Sequence, residues 1–284
     1  MIYAISAATG HFGQAAVKTL TKLVDPKDIV IIARNKEKAE KLYPDLTVRV
    51  ASYDDAATMQ AALKGVDRLL FISSQPGGEV SRADQHRNVV EAIKASRLSF
   101  VAYTSFPDAQ NSVSALAADH ALTEKLLAAS GVKHAFLRNN WYLENETSFI
   151  TASGETPAIY WAKGKAGWAL EHEYAEAAAK VLIGDFDQEI FEFAGPARSY
   201  AELGEAVKAV DSSVQVVELS HKEYVEALKK SGLSHELATL YASFELPIDN
   251  GSLDEASDDL PKVLGHELTP LGDAIRAIRA NSQS

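Results

Sequence analysis

The chain contains no cysteine. That absence removes disulfide scaffolds, thiolate metal sites and cysteine nucleophiles from consideration. Long apolar runs are missing as well. None reaches the roughly 18 residues that a membrane helix needs. The opening residues, MIYAIS, turn within a few positions, and no basic segment leads into an apolar stretch. A secretory signal is therefore not expected. Positive charge is also scarce: 28 Lys and Arg against 39 Asp and Glu give a net charge of −11. Such a surplus disfavours nonspecific binding to nucleic acid or anionic membranes. Neither partner is expected, and a cytoplasmic address is compatible with these features. An acidic chain that takes an anionic cofactor must place its cations locally. Arg34 and Lys38 are the positions to examine.

What remains is an ordinary globular composition, 46% hydrophobic and 24% charged over 284 residues. The first half alternates short β-rich runs with helical stretches. Strands are expected at Ile2–Ser6, Asp28–Ala33, Leu46–Ala51, Asp67–Ser73, Ser99–Thr104 and Val132–Arg138. Helices are expected between them at His11–Val24, Lys36–Leu42, Ala56–Leu63, Ser81–Ser96 and Leu116–Ser130. Strands of this length alternating with helices predict βαβ units and a parallel sheet. The unbroken apolar runs DIVIIA and DRLLFIS fit strands covered on both faces. The expected class is thus α/β, a Rossmann-type doubly wound parallel sheet over residues 1–150. After about Asn139 the alternation loosens. Residues 151–284 read as a smaller, mostly helical lobe capping the strands' carboxyl edge, with some segments free to return to the main sheet. Within it, Glu171–Leu182 reads as helix, and Glu189–Ala194 and Val214–Leu219 as strands.

The first strand runs into Thr9-Gly10-His11-Phe12-Gly13 and then a helix. A glycine turn in that context lets backbone N–H groups approach a pyrophosphate at the helix N-terminus. An ordinary βα turn with two glycines is the competing reading. The end of the second strand discriminates between cofactors: an acid there suits the ribose hydroxyls of NAD, a cation the 2′-phosphate of NADP. Here stand Arg34 and, one helical turn on, Lys38. They favour NADPH over NADH, unless they are simply a solvated helix start. His86 and His120 lack metal-ligand spacing, so structural or helix-surface roles are expected and no metal site is assigned. Tyr103 reads as a strand core residue.

Several segments together resemble a known family. They are Thr9-Gly10-x-x-Gly13, Ala33-Arg34-Asn35, Ile72-Ser73-Ser74, Gln85-His86-Arg87-Asn88-Val89, Tyr103-Thr104-Ser105 and Thr123-Glu124-Lys125. Leu137-Arg138-Asn139-x-Trp141-Tyr142-x-Glu144-Asn145 and Leu264-Gly265-His266 complete the set. The chain resembles the NmrA-like group of atypical short-chain dehydrogenase/reductases, and within it the type 2 NADPH:quinone oxidoreductases. The resemblance implies NADPH held by Thr9, Gly10, His11, Phe12, Gly13, Arg34, Lys38, Ser73, Ser74, Gln75 and Lys125. Lys125 would position the nicotinamide ribose. Asn139, Trp141, Tyr142 and Asn145 would shape a pocket for a planar quinone.

The chain also departs from the family pattern. Ser6 and Ala7 stand where the family usually has Thr-Gly, and Ser52 where it usually has Asp. Four residues before Lys125, where short-chain dehydrogenases carry their acid tyrosine, stands Ala121. An isolated ketone needs such an acid, because hydride addition leaves a strongly basic alkoxide. A quinone does not, because its reduced anion is delocalised. The expected activity is therefore direct hydride transfer from NADPH to a quinone, without flavin. The alternative from another class is an NADP(H)-sensing regulator without catalysis. A homodimer is left open.

Overall fold

The computed structural model describes residues 1–282. The first strands and helices are β1 (Tyr3–Ile5), α1 (His11–Leu23), β2 (Ile29–Ala33), α2 (Lys36–Leu42), β3 (Thr47–Val50) and α3 (Ala56–Ala62). Next come β4 (Arg68–Phe71), α4 (Arg82–Lys94), β5 (Phe100–Ser105), α5 (Ala117–Ala128) and β6 (Lys133–Asn139). These elements stand where the sequence puts them, with ends displaced by one or two residues. The later part holds α6 (Thr147–Ile150), β7 (Ala158–Tyr160), β8 (Lys165–Ala166), α7 (Glu171–Ile183), β9 (Ile190–Phe193) and β10 (Arg198–Ser199). It closes with α8 (Tyr200–Val210), β11 (Val216–Glu218), α9 (His221–Lys230), α10 (His235–Ser243), α11 (Leu246–Asp249), α12 (Asp259–Leu264) and α13 (Leu271–Asn281).

Seven parallel strands form the central sheet, in the order β3-β2-β1-β4-β5-β6-β9. The chain thus has the expected α/β Rossmann-type architecture. Side chains alternate across each strand, so neighbouring residues feed opposite cores. Ile31 and Leu70 face a layer with α1, α7 and α12. Ile32, Leu69 and Tyr103 face α3, α4 and α5. A third core, built on Phe149, Tyr160, Trp168 and Tyr200, belongs to the later part of the chain. That part does not stay apart from the sheet. α7 packs along α1, and β9 extends the sheet beyond β6. β7 with β11, and β8 with β10, make two small separate sheets.

Helix starts reveal where the edge has been left open. Asn35 caps α2 by accepting from Lys38 N–H at 2.9 Å, and Asp55 caps α3 by accepting from Ala57 N–H at 2.8 Å. Ser81 caps α4 by accepting from Asp84 N–H at 3.1 Å. These bonds satisfy amide groups that a helix leaves unpaired at its start. The residue before α1 is Gly10, which offers no side-chain cap.

Candidate functional site

The strand order reverses between β1 and β4, and ligands of open α/β sheets sit at the carboxyl ends of the strands there. The glycine turn occupies that point. Gly10 N–H donates to Ala7 O at 3.2 Å, closing the turn. A Cβ on Gly13 would lie 2.6 Å from both Ala7 O and Ala8 Cα, so only glycine lets α1 approach the strand end this closely. Ala7 has φ +50°, a left-handed conformation that costs an L-residue about 1–2 kcal/mol. The glycine that the family pattern has at this position would carry no such strain. The amides at the start of α1, uncapped by their own helix, fit a pyrophosphate. One is already engaged: Phe12 N–H donates to the carboxylate of Glu171. Burial first, and neighbouring Glu144 second, raise the Glu171 carboxyl above its usual range.

On the β2 side of the turn, Arg34 and Lys38 are exposed, and neither makes an ion pair among the described residues. Two free cations at that strand end match the charge of a 2′-phosphate. Ser52 Oγ donates to Asp54 at 3.0 Å, and Gln85 Nε2 donates to the other Asp54 oxygen at 2.8 Å. Asp54 therefore ties the end of β3 to α4.

On the β4 and β5 side lies a buried polar network. Ser74 N–H donates to His86 Nε2 at 3.1 Å, so Nδ1 carries the His86 proton and donates to Thr123 Oγ1 at 2.8 Å. Arg82 Nη2 donates to His120 Nε2 at 2.9 Å, so His120 donates through Nδ1 to the Tyr103 hydroxyl at 3.0 Å. Thr123 Oγ1 donates to Asp119 O at 2.6 Å. Burial first, then the charge of Arg82, hold the His86 imidazole down at about 3 and His120 well below its usual value. Both rings are neutral, buried and structural; the helix-surface alternative does not apply. Tyr103 is sealed in the core, and burial raises its hydroxyl pKa. Ser73 N–H donates to Thr104 Oγ1 at 2.8 Å, while Gln75 is exposed.

Lys125 is exposed. The buried face of α5 carries His120, Thr123, Glu124 and Leu127, and Lys125 lies well round the helix from it. The ribose role that the resemblance implies for Lys125 does not fit this placement. Nor does Lys125 form an ion pair among the described residues. Its neighbour Glu124 is the engaged residue. It accepts from Ser105 Oγ at 2.6 Å and, through both oxygens, from Arg138 at 2.9 and 2.8 Å. Ser105 is thus held by a structural carboxylate.

At the end of β6, Asn139 Nδ2 donates to the Tyr142 hydroxyl at 3.0 Å. The Tyr142 ring stacks on Phe12 of the glycine turn, centroids 6.0 Å apart. Asn139 Oδ1 is buried without a partner. An amide turned the other way would leave its nitrogen orphaned instead. A buried unpaired polar atom is costly and fits a ligand that supplies the missing bond. Trp141 turns away, donating to Glu146 at 3.0 Å and packing on the third core, and Asn145 is exposed. The structure therefore brings Phe12, Asn139 and Tyr142 together, and leaves Trp141 and Asn145 out. A cavity of about 230 Å³ between α7, α12 and α13 has none of the expected residues in its lining. Arg82 and Glu171 were not among the expected residues. Both sit at helix starts whose charges look solvated in sequence.

Residues 7–159 match the family described as NAD(P)H-binding. The chain belongs to that family. This NAD(P)H-binding protein is 38% identical over 278 residues to quinone oxidoreductase 2 of Escherichia coli, covering 96% of each chain. It is 27% identical over 296 residues to an NmrA-like family domain-containing oxidoreductase of Aspergillus flavus, covering 98% of this chain and 95% of that one. A solved structure of the NADPH-dependent quinone oxidoreductase of E. coli, complexed with NADPH, is similar with a TM-score of 0.88 at 37% identity. That match covers 98% of this chain and 99% of the other. The NmrA-like resemblance read from the motifs is confirmed. No helix of the described residues is long and apolar enough to cross a membrane.

Proposed function

We propose that the protein is an NADPH-dependent quinone reductase that transfers hydride directly, without flavin, in the cytoplasm. Full-length kinship with quinone oxidoreductase 2 carries the reading. The site agrees with it. Thr9 to Gly13 cradle the pyrophosphate through backbone amides, with Glu171 moving off Phe12 N–H. Arg34 and Lys38 meet the 2′-phosphate. Ser73 and Ser74 line the nicotinamide half of the groove. Asn139 offers its orphaned amide atom to a polar group of the ligand, and Phe12 and Tyr142 form an aromatic wall for a planar ring.

Bound NADPH supplies a hydride, and the chain's task is to hold the acceptor beside it. The tyrosine acid of short-chain dehydrogenases has no counterpart here: position 121 is alanine and Tyr103 is sealed. That suits an acceptor whose reduced form is a weakly basic anion. The test mixes the protein with NADPH and a simple benzoquinone, with no added flavin, and follows loss of the nicotinamide absorbance band. Turnover is expected.

Strain at Ala7 and Glu171 on Phe12 N–H favour a second reading, an NADP(H) sensor without catalysis. Thermal stabilisation by NADPH without quinone turnover would select it. No stabilisation by any nicotinamide cofactor overturns both readings. A homodimer is part of the first reading and is checked by sedimentation equilibrium.

A further inference from the structure

We infer that Arg82 is a catalytic residue of the quinone reduction proposed above: its guanidinium takes up the negative charge that develops on the acceptor oxygen. The inference rests on that proposed reaction and adds a group to it. Arg82 opens α4, beside the strand end of β4, on the side of the switch point that receives the nicotinamide half. Its Nε–H donates to Ser74 O at 2.6 Å and its Nη2 to His120 Nε2 at 2.9 Å. Both acceptors are neutral. Of the five N–H groups of a guanidinium, three have no acceptor among the described residues. No carboxylate lies within ion-pair distance of Arg82 among those residues.

That is an unusual way to keep an arginine. A charge withdrawn from water is normally paired, and this one is half-buried yet hydrogen-bonded only to neutral partners. The titratable groups around it are Tyr103, Asp119, His86 and His120. Tyr103 is protonated, both imidazoles are uncharged, and Asp119 acts only from a distance. Burial lowers the affinity of Arg82 for its proton, the mark of a cation whose charge is not met. The two hydrogen bonds fix the plane of the guanidinium, and the network behind His120 fixes the imidazole in turn. The remaining N–H groups form a pre-set donor fork at the strand edge.

The reaction creates the charge that this fork lacks. Hydride leaves reduced nicotinamide with its electron pair and adds to the quinone. The nicotinamide is oxidised, the quinone becomes a hydroquinone monoanion, and a proton from water completes the hydroquinone. A donor aimed at the developing oxyanion, and not at the neutral substrate, accelerates that step. The delocalised anion needs less support than an alkoxide, so loss of the fork is expected to slow turnover by about ten- to a hundredfold.

The experiment reads charge preference directly. The full chain, saturated with NADP⁺, is titrated with 4-nitrophenol, whose ionised and neutral forms differ in colour. In the unaltered protein the bound phenol is expected to ionise about one pH unit lower than in water, which is a tenfold preference for the anion. Arg82→Met should abolish that shift and steepen the dependence of kcat/KM on the acidity of the hydroquinone formed, across a series of substituted benzoquinones. Arg82→Lys should keep most of the shift, because the charge remains. If the methionine variant does not fold, Arg82→Gln, which also removes the charge, takes its place: loss of both shift and rate with NADPH affinity intact supports the inference. An unchanged phenol shift in a folded variant that lacks the charge overturns the inference, whatever happens to the rate. Absence of quinone turnover in the unaltered protein overturns the proposed reaction instead, which separates the two failures.

Discussion

Two arginines at the carboxyl edge of the same sheet are treated in opposite ways. Arg138, at the end of β6, is 6% exposed and bonded to Glu124 through two parallel hydrogen bonds and to Glu192 at 2.6 Å. Asp108 adds a fourth charge at 3.8 Å. Burial alone would weaken its hold on the proton, but the bonds to Glu124 and Glu192 outweigh that and raise its pKa. Arg82, two strands away, has neutral acceptors only. The first arginine joins α5, β6 and β9 and is spent on the fold. The second keeps its charge for something outside the chain. Where a buried cation is neutralised it is architecture; where it is held but not neutralised, the fold has left an electrostatic vacancy for a ligand.

Breaking this contrast begins with stability. Arg138→Met strands Glu124 in the core and should cost about 3–5 kcal/mol, measured by urea unfolding. Arg82→Met strands no carboxylate and should cost about 1–2 kcal/mol, the loss of donors to Ser74 O and His120. Equal costs would erase the distinction. A third buried charge sharpens it. Glu146 accepts from Trp141, Trp168 and Tyr200, yet burial raises its pKa to about 7 against an ordinary 4.5. A raised carboxyl pKa means that the folded chain holds the proton more tightly than the unfolded one. Stability should therefore fall as pH rises between about 4.5 and 7, by up to about 3 kcal/mol. Glu146→Gln should flatten that slope; an unaltered slope would place the titrating group elsewhere.

The smaller effects lie at the exposed end of the edge. Arg34→Glu should weaken NADPH by about tenfold while leaving NADH little changed, by calorimetric titration. Equal loss for both cofactors would remove Arg34 from the 2′-phosphate. Ala7→Gly trades relief of the left-handed strain against a more flexible unfolded chain. A net gain of about 0.5 kcal/mol, a degree or two in melting temperature, is expected. A loss would show that the Ala7 backbone is not strained.

Much of this edge could be read in one dimension. The run DIVIIA announces a strand buried on both faces, and β2 is one, buried at every residue. The glycine turn and Arg34 fall where a strand–turn–helix unit must place them. Lys125 shows the limit. Its sequence context resembles a ribose-binding lysine, but the face of α5 that meets the sheet is chosen by packing against α4 and β6, and Lys125 falls outside it. For His86 and His120 the sequence left structural and helix-surface roles open, and only packing chose between them: their partners, Ser74, Arg82, Tyr103 and Thr123, come from different elements.

The sequence by itself determined the sheet, its parallel order of units, the dinucleotide turn and the cations beside it. Each depends on residues within one βαβ unit, where periodicity and turn chemistry act locally. Only the tertiary structure decided which arginine is neutralised, that β9 closes the sheet edge beside β6, and that Glu171 reaches Phe12. Those outcomes depend on groups far apart in the chain. Burial, which sets the strength of a charge, exists only once the layers have come together.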